Sequence, residues 1–369
     1  MKQPNIVNIL NHGNLVTEFS RFLSTVLVET GRITVDDVIV EPSFGGYQPD
    51  LLLTARAAGA TVRIAVEVKA RGEPAYVRTA AVLLGDLIKQ EAIDYALVAV
   101  PYYSERGLEI CKEYGVGCVD LSGNIFFDYP GIYIERTGFP NRYKRLRSGT
   151  DIFKPKASRV LRVLLNEPDR FWKGEEVAAA ASISLGHVSN VRRSLRDQEY
   201  IEEKPNGFRL SKPSDLLKAW SEAYKLEPRD SRYYYSLDKV GEIEEKLARF
   251  LNDRTAEYAF TMFSAADKLA PYVRYFQVHI YVSEIDALPE ETLGIKPVHS
   301  GANLVVMKPY DEGVFYFREF IDGTYVADPV QIYLDLNTFG GRGTEAAEVL
   351  SKEVIKKKWE RNALKTASR

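Results

Sequence analysis

Cysteine and histidine are both scarce in this sequence of 369 residues, and long apolar runs are absent. Two cysteines, Cys111 and Cys118, are too few for a disulfide framework, and the four histidines show no zinc-ligand spacing. No apolar run reaches the roughly 18 residues of a membrane-spanning helix, and no secretory signal pattern opens the chain. We therefore expect a cytoplasmic protein with no membrane partner, and neither a zinc enzyme nor a secreted disulfide scaffold.

The charge of the chain is unevenly distributed, although the net charge is only −2. Residues 142–212 hold 16 Lys and Arg against 9 Asp and Glu, a net charge of +7, whereas residues 1–141 carry −5 and residues 213–369 carry −4. A basic segment between two acidic ones is typical of a surface that binds a polyanion, although a solvated surface would give the same count.

The order of predicted elements divides the chain into an α/β domain, a helical unit and an α+β domain, which its length also favours. Residues 1–140 alternate helices and strands, and residues 157–212 form a compact helical unit. Residues 213–369 mix helices with strands rich in Tyr, Val and Phe. A basic linker covers residues 141–156, where Gly and Pro break regular structure. Its cations are Arg142, Lys144, Arg145, Arg147, Lys154 and Lys156.

Two carboxylates and a lysine follow a strand pattern in the first domain. Asp50 precedes the apolar run 51–53, and Glu67 and Lys69 alternate with buried positions of the run 62–69, so both point to one face. If the two strands are neighbours, Asp50 and Glu67 make an oxygen site suited to Mg²⁺, and Glu18 of the first helix adds a third carboxylate. Lys69 would orient a metal-activated water or stabilise phosphate charge. The alternative is an exposed Glu–Lys pair on an edge strand.

This arrangement resembles the PD-(D/E)xK nuclease superfamily, which includes restriction endonucleases. The order of helix, hairpin strands, E-x-K strand, helix and parallel strand is similar to that core. The resemblance implies a restriction-endonuclease-like fold, with Asp50, Glu67, Lys69 and Glu18 as catalytic residues and Asp50 and Glu67 as metal ligands. Such a scaffold also serves as a binding module without catalysis, so the fold does not decide between these two functions.

A helix-turn-helix followed by a hairpin is predicted for residues 157–212. The third helix covers 185–199 with Ser184 as its N-cap, and we expect Leu185, Val188, Val191 and Leu195 to be buried on one side. Strands at 201–203 and 208–210 then read as the wing of a winged helix. The alternative is a winged helix that binds protein.

The polar residues of that helix and wing are candidates for contacts to double-stranded DNA. A recognition helix reads base edges in the major groove, which suits Ser189 and Asn190, while arginines contact phosphate or guanine and a wing reaches the backbone or minor groove. The DNA-binding candidates are Ser184, His187, Ser189, Asn190, Arg192, Arg193, Arg196, Lys204 and Arg209.

A glycine-rich segment, 340–344, precedes a predicted C-terminal helix. It lacks the G-x-x-x-x-G-K-[ST] spacing of a P-loop. We predict a connection with Thr344 as the N-cap rather than a phosphate-binding loop, although its backbone N–H groups could meet a phosphate.

Four longer segments occur in a fixed order. They read GVGCVDLSGNIFFDYPGIYIER (115–136), FKPKASRVLRVLL (153–165), SLGHVSNVRRSL (184–195) and DPVQIYLDLNTFGGRGTEAAEVL (328–350). Together they resemble AbiEi-type antitoxins of type IV toxin–antitoxin systems. The resemblance implies a winged-helix transcription regulator that represses its own operon and has a nucleotidyltransferase-like toxin as partner.

Three hypotheses follow. The chain is a DNA-binding regulator whose nuclease-like domain is not catalytic, a Mg²⁺-dependent endonuclease targeted by the winged helix, or an antitoxin that acts on its partner mainly through residues 213–369. The sequence also leaves a homodimer open.

Overall fold

The computed structural model describes residues 12–43, 47–143, 150–271, 274–284 and 288–367. The chain divides into two compact units, Met1–Gly149 grouped with Arg196–Glu199, and Thr150–Leu195 grouped with Tyr200–Arg369. Within the described part of the chain, every helix is too short or too polar to span a bilayer.

The first unit is a mixed α/β sheet covered by helices on both faces. Its elements are α1 (His12–Val26), β1 (Ile33–Val40), β2 (Leu51–Ala57), β3 (Ala60–Val68), α2 (Pro74–Lys89), β4 (Tyr95–Val100), α3 (Glu105–Glu113), β5 (Gly117–Asp120), β6 (Ile125–Tyr129) and β7 (Ile132–Arg136). The strands are neighbours in sequence order. β3, β4 and β5 run parallel, and the other adjacent pairs are antiparallel. Every residue of β4 is buried, as expected for a central parallel strand.

The register of β2 and β3 determines which polar residues meet at the end of this sheet. Leu51 pairs with Val66, so Asp50 and Glu67 are the next positions along the antiparallel ladder. Residues directly opposite each other in such a ladder project to the same face. Helix α1 packs on one face of the sheet through Leu15 and Phe19, and α2 and α3 pack on the other.

The second unit begins with three helices and a hairpin. These are α4 (Pro155–Asn166), α5 (Gly174–Ala180), α6 (Leu185–Asp197), β8 (Ile201–Lys204) and β9 (Gly207–Leu210). Trp172 and Phe208 join the hairpin to the helices through main-chain hydrogen bonds of 2.8 and 3.0 Å. Gly207 is required there, because its φ is +143° and an added Cβ would lie 2.4 Å from the Trp172 carbonyl oxygen.

One burial prediction for α6 is wrong. Val188, Val191 and Leu195 are buried as expected, but Leu185 is 45% exposed. The reason is that the first turn of α6 extends beyond the core: Ser184 and the residue after Leu185 are exposed as well. The Leu185 side chain rests beside Gly174 instead of entering the core.

The remainder of the second unit is an α+β arrangement, as the sequence predicts. Its helices are α7 (Pro213–Ala223), α8 (Val240–Asn252), α9 (Met262–Leu269), α10 (Glu290–Leu293), α11 (Pro329–Phe339), α12 (Arg342–Leu350) and α13 (Lys357–Ala367). Its strands are β10 (Asp230–Ser236), β11 (Tyr258–Thr261), β12 (Val278–Val282), β13 (Ile295–Pro297), β14 (Leu304–Lys308), β15 (Glu319–Ile321) and β16 (Thr324–Val326). They form a sheet in the order β13-β10-β14-β12-β11-β16-β15. A π-helical segment, Ser351–Lys356, joins α12 to α13.

The turn before α12 differs from the prediction. The N-cap is Gly341, so Thr344 lies inside the helix. The chain turns sharply there because Gly340 and Gly341 both adopt positive φ, at +68° and +43°.

The helical part and the α+β part of this unit share one core. Trp220, Val330 and Trp359 pack in the same buried cluster as Val160 and Leu164 of α4. The Trp359 indole N–H donates a 2.7 Å hydrogen bond to the Leu165 carbonyl. Residues 150–195 and the α+β part therefore form a single packed body.

Candidate functional site

Helix α6 presents a polar stripe to solvent. Ser184 caps the helix, and its Oγ accepts a hydrogen bond from the His187 N–H at 3.3 Å. Ser189, Asn190, Arg193 and Arg196 are exposed. Asn190, Arg193 and Arg196 follow one another at intervals of three residues, and Ser189 lies four residues before Arg193. All four therefore lie on one side of the helix, away from the buried Val188, Val191 and Leu195. We call Ser189, Asn190, Arg193 and Arg196 the α6 stripe.

Two candidates on α6 are not available in the way the sequence suggests. His187 is half-buried, and its Nε2 is enclosed without a hydrogen-bond partner among the described residues. Arg192 points toward the hairpin, where its Nε donates a 2.6 Å hydrogen bond to Glu203 and its guanidinium lies 4.8 Å from the Phe208 ring centre. Arg192 therefore ties α6 to the hairpin, whereas Arg193 has no acidic partner in the part of the chain that the structure describes.

The two cations of the hairpin share one acidic partner. Arg209 donates to Glu202 at 2.9 Å and Lys204 lies 3.1 Å from the same carboxylate. Both cations also sit 4.8 Å from the Phe171 ring centre. Hydrogen bonds from Arg209 and then Lys204 lower the pKa of Glu202, so this carboxylate stays ionised and offsets part of the positive charge of the hairpin.

The basic linker is only partly described. Arg142, Lys154 and Lys156 are exposed. Lys144, Arg145 and Arg147 lie outside the described residues. The free positive charge of the described helix and hairpin therefore comes mainly from the α6 stripe, where Arg196 has only a 3.6 Å contact to Asp197.

In the first unit, the structure brings Asp50, Glu67 and Lys69 together at the end of β3. Asp50 Oδ2 accepts a 2.7 Å hydrogen bond from the Val68 N–H, between Glu67 and Lys69. The Lys69 ammonium donates to Glu67 Oε1 at 2.6 Å. Two residues that the sequence did not point to complete this carboxylate cluster. Tyr47 donates its hydroxyl hydrogen to Glu67 Oε2, and His12 Nε2 lies 2.7 Å from Asp50 Oδ1.

The carboxylate cluster is well supplied with hydrogen-bond partners. Glu67 is only 8% exposed, and each of its oxygens, like each Asp50 oxygen, has a partner within the protein. Burial, followed by the hydrogen bond to Glu67, raises the pKa of Tyr47 well above its usual range, so Tyr47 is a neutral donor at physiological pH. Lys69 is then the cation that balances Glu67 directly.

Glu18 is not joined to this cluster by any contact among the described residues. It lies near Tyr143, whose pKa is raised by burial and then by the Glu18 charge. In the part of the chain that the structure describes, no group of three or more His, Cys, Asp or Glu side chains is arranged to hold a metal ion. Among the described residues, Asp50 and Glu67 thus lie together without a third carboxylate.

The comparison with known families gives one match, over residues 209–356. The matching family model is AbiEi_2, described as a transcriptional regulator, AbiEi antitoxin, of type IV toxin–antitoxin systems. The match starts in β9 and ends in the π-helical segment before α13, so it covers the α+β part of the second unit. No curated protein and no solved structure matches the chain significantly.

Proposed function

We propose that this chain is a DNA-binding transcriptional regulator of antitoxin type, in which residues 157–212 act as a winged helix. The observation that carries the proposal is the α6 stripe. It places two hydrogen-bonding side chains and two arginines on the exposed side of a 13-residue helix whose opposite side is buried. A helix of this kind fits the major groove of duplex DNA.

The roles of the individual residues follow from their positions. Ser189 and Asn190 hydrogen-bond to base edges, and Arg193 and Arg196 contact phosphate or guanine. Lys204 and Arg209 of the hairpin reach the DNA backbone while their contact with Glu202 keeps them oriented. Ser184 and His187 support the start of α6 and do not read bases.

The family match over residues 209–356 supports the antitoxin part of the proposal. The matching family is described as an antitoxin and a transcriptional regulator, and its region packs directly on α4. We propose that this α+β part binds a nucleotidyltransferase-like toxin and that the chain acts on its own operon. A homodimer would present two copies of α6 to a palindromic site.

The test is binding to a duplex from upstream of the chain's own gene, measured by fluorescence anisotropy between 50 and 200 mM salt. We expect saturable binding that weakens steeply with salt, because each phosphate contact releases counterions. A control substitution at a half-buried position of α7 outside the proposed interface, Ser221→Ala, should leave the affinity unchanged. Binding that is flat in salt, or absent, would assign the helix and hairpin to a protein partner instead.

The carboxylate cluster favours a second candidate, a Mg²⁺-dependent DNA endonuclease with a PD-(D/E)xK-like first unit. The observation behind it is that Asp50, Glu67 and Lys69 meet at one end of β3. Asp50 and Glu67 would hold the ion, which would polarise a phosphodiester and activate a water, and Lys69 would orient that water. Asp50 and Glu67 offer the kind of ligand that Mg²⁺ prefers, because each carboxylate oxygen keeps a free lone pair in addition to the one that accepts its hydrogen bond.

Plasmid nicking in Mg²⁺ or Mn²⁺ tests this candidate. Asp50→Ala and Lys69→Ala should each abolish nicking without weakening duplex binding, because the proposed DNA contacts lie in residues 142–212. Asp86→Ala removes an exposed carboxylate of α2 and should have no effect. If the wild-type chain nicks no plasmid in either ion, the first unit is a non-catalytic scaffold.

A further inference from the structure

A small cavity in the α+β part has no role in the function proposed above. It lies where α9, the start of β12 and the turn between α11 and α12 meet, and its volume is about 160 Å³. Phe263, Phe339, His279, Arg274 and Arg342 contribute to its lining. Because a liquid water occupies roughly 30 Å³, this volume suits one planar ring system rather than a large ligand.

The walls of the cavity are aromatic. Phe263 and Phe339 meet edge to face, with ring centres 5.2 Å apart. Phe339 is 56% exposed and Phe276, also in the lining, is 77% exposed. Large aromatic faces that remain this open are available to stack against a flat ligand.

A largely buried histidine contributes its ring to the lining. His279 of β12 is 7% exposed and lines the cavity, and its Nδ1 has no hydrogen-bond partner among the described residues. Burial lowers the pKa of His279 to about 4, so the ring is neutral at physiological pH and can both donate and accept hydrogen bonds. That nitrogen is itself closed to solvent, so a ligand meets only the part of the ring that lines the cavity.

Two arginines stand at the rim. The Arg342 guanidinium donates a 2.7 Å hydrogen bond to the Arg274 carbonyl, which holds these two residues close together. Within the described ranges, neither guanidinium has a carboxylate within ion-pair distance. Arg342 is also the first residue of α12, and that helix has no side-chain cap, so its partial positive charge adds to that of the arginines. Two guanidinium groups beside a helix N-terminus favour an anion with several oxygen atoms, and phosphate is the anion that fits these donors best.

We propose that this cavity binds a nucleotide. The base stacks among Phe263, Phe276 and Phe339 and lies against the His279 ring, while the phosphate meets Arg274 and Arg342. A phenylalanine side chain from a protein partner would leave the two arginines without an anion, and a carboxylate would leave the aromatic walls without a ring to stack on. The ligand chemistry is shared by free mononucleotides and by the end of a single-stranded nucleic acid.

The test is calorimetric titration of the full chain with each ribonucleoside 5′-monophosphate, with the matching nucleoside and inorganic phosphate as partial ligands. At least one nucleotide should bind tenfold or more tightly than either of its parts. Arg342→Gln and Phe339→Ala should each weaken that nucleotide about tenfold, as loss of a charged hydrogen bond or a stacking face does. Arg249→Gln, an exposed arginine of α8 outside the cavity, is the matched control and should bind normally.

Short single-stranded oligonucleotides that end in the preferred nucleotide distinguish the two sources. Tighter binding of the oligonucleotide identifies a nucleic-acid end, and equal or weaker binding identifies the free nucleotide. The His279 ring nitrogens, followed by NMR, should shift on binding. The proposal is overturned if no nucleotide binds saturably, or if Arg342→Gln and Phe339→Ala bind as wild type does while circular dichroism shows them folded. DNA affinity is measured in parallel, so failure here leaves the regulator proposal unaffected.

Discussion

Two adjacent arginines of α6 should respond differently to the same substitution. Arg192 is held by Glu203 at 2.6 Å and covers the Phe208 ring, whereas Arg193 is exposed and has no acidic partner among the described residues. Replacement by methionine keeps the length of the side chain and its helix propensity but removes the charge. We therefore expect Arg193→Met to act on DNA binding and Arg192→Met to act mainly on folding.

The magnitudes follow from these environments. A phosphate contact contributes about 0.9 to the slope of log K against log salt, so Arg193→Met should reduce the slope by about that amount. Over a fourfold change in salt, such a slope corresponds to a difference of about 3.5-fold in affinity. The Arg192–Glu203 pair is only partly shielded, with side chains 37% and 30% exposed. Its loss should lower the free energy of unfolding by about 0.2 to 1 kcal/mol and leave the salt slope nearly unchanged.

Fluorescence anisotropy with one labelled duplex at 50, 100 and 200 mM salt measures the slopes, and urea unfolding measures stability. Each variant serves as the control for the other because the two positions are neighbours on one helix. Equal losses of slope in the two variants would refute the assignment of Arg192 to the hairpin. No loss in Arg193→Met would refute the placement of the α6 stripe against phosphates.

Three further substitutions test other parts of the structure. Asn190→Ala should weaken a specific site by ~1 to 3 kcal/mol and leave random duplex binding unchanged, as competition assays would show. Burial raises the pKa of Asp335 to about 6. The stability that its neutral carboxyl contributes to the folded protein is therefore fully present below about pH 4 and is lost as pH rises through about 6. Over this pH range, the free energy of unfolding of Asp335→Asn in urea should fall by ~3 kcal/mol less than that of the wild type. Equal declines in the two proteins would contradict this expectation. In Gly343→Ala the new Cβ would lie 2.3 Å from the Leu336 carbonyl oxygen, so the free energy of unfolding should fall by ~1 to 3 kcal/mol. The control Gly241→Ala meets no atom within 4 Å and should be neutral or stabilising.

The regular elements around the candidate DNA interface could be predicted closely from the sequence. Helix α6 was expected at 185–199 and occupies Leu185–Asp197, with Ser184 as its cap. Periodicity identifies the buried Val188, Val191 and Leu195 because they face a core that the sequence itself supplies. It fails for Leu185, since a spacing rule does not show where the core ends.

The state of each cation was harder to predict. A count of charges treats Arg192, Arg193 and Arg209 alike, but the structure pairs the first with Glu203 and the last with Glu202. Part of this could have been found from the hairpin register, because Glu202 and Arg209 are opposite each other across β8 and β9. The pairing of Arg192 depends on how the hairpin folds back on α6, which is a tertiary contact without a local signal.

The carboxylate cluster shows the same limit. Strand alternation places Glu67 and Lys69 on one face, and the β2–β3 register brings Asp50 beside them. Tyr47 lies in a loop and His12 is the first residue of α1. No periodic pattern in the sequence indicates that either residue belongs to the cluster. The buried His279 was likewise visible only as one of four scattered histidines, because burial and an unpaired nitrogen are properties of the packed chain.

The second unit connects the α+β part to the proposed DNA-binding helix through α4. Helix α4 supports α6 through the shared core, and α4 is itself held by the α+β part through charged side chains. Arg159 makes two 2.8 Å hydrogen bonds to Asp311, and the buried Arg162 donates to Gln331 at 2.6 Å. Removing one partner from a buried charged pair is strongly unfavourable, so these contacts hold α4 to α11 and to Asp311, which follows β14. If the proposed function holds, a ligand or protein that displaces α11 should break the Arg162–Gln331 contact and so disturb α4 and the core that it shares with α6.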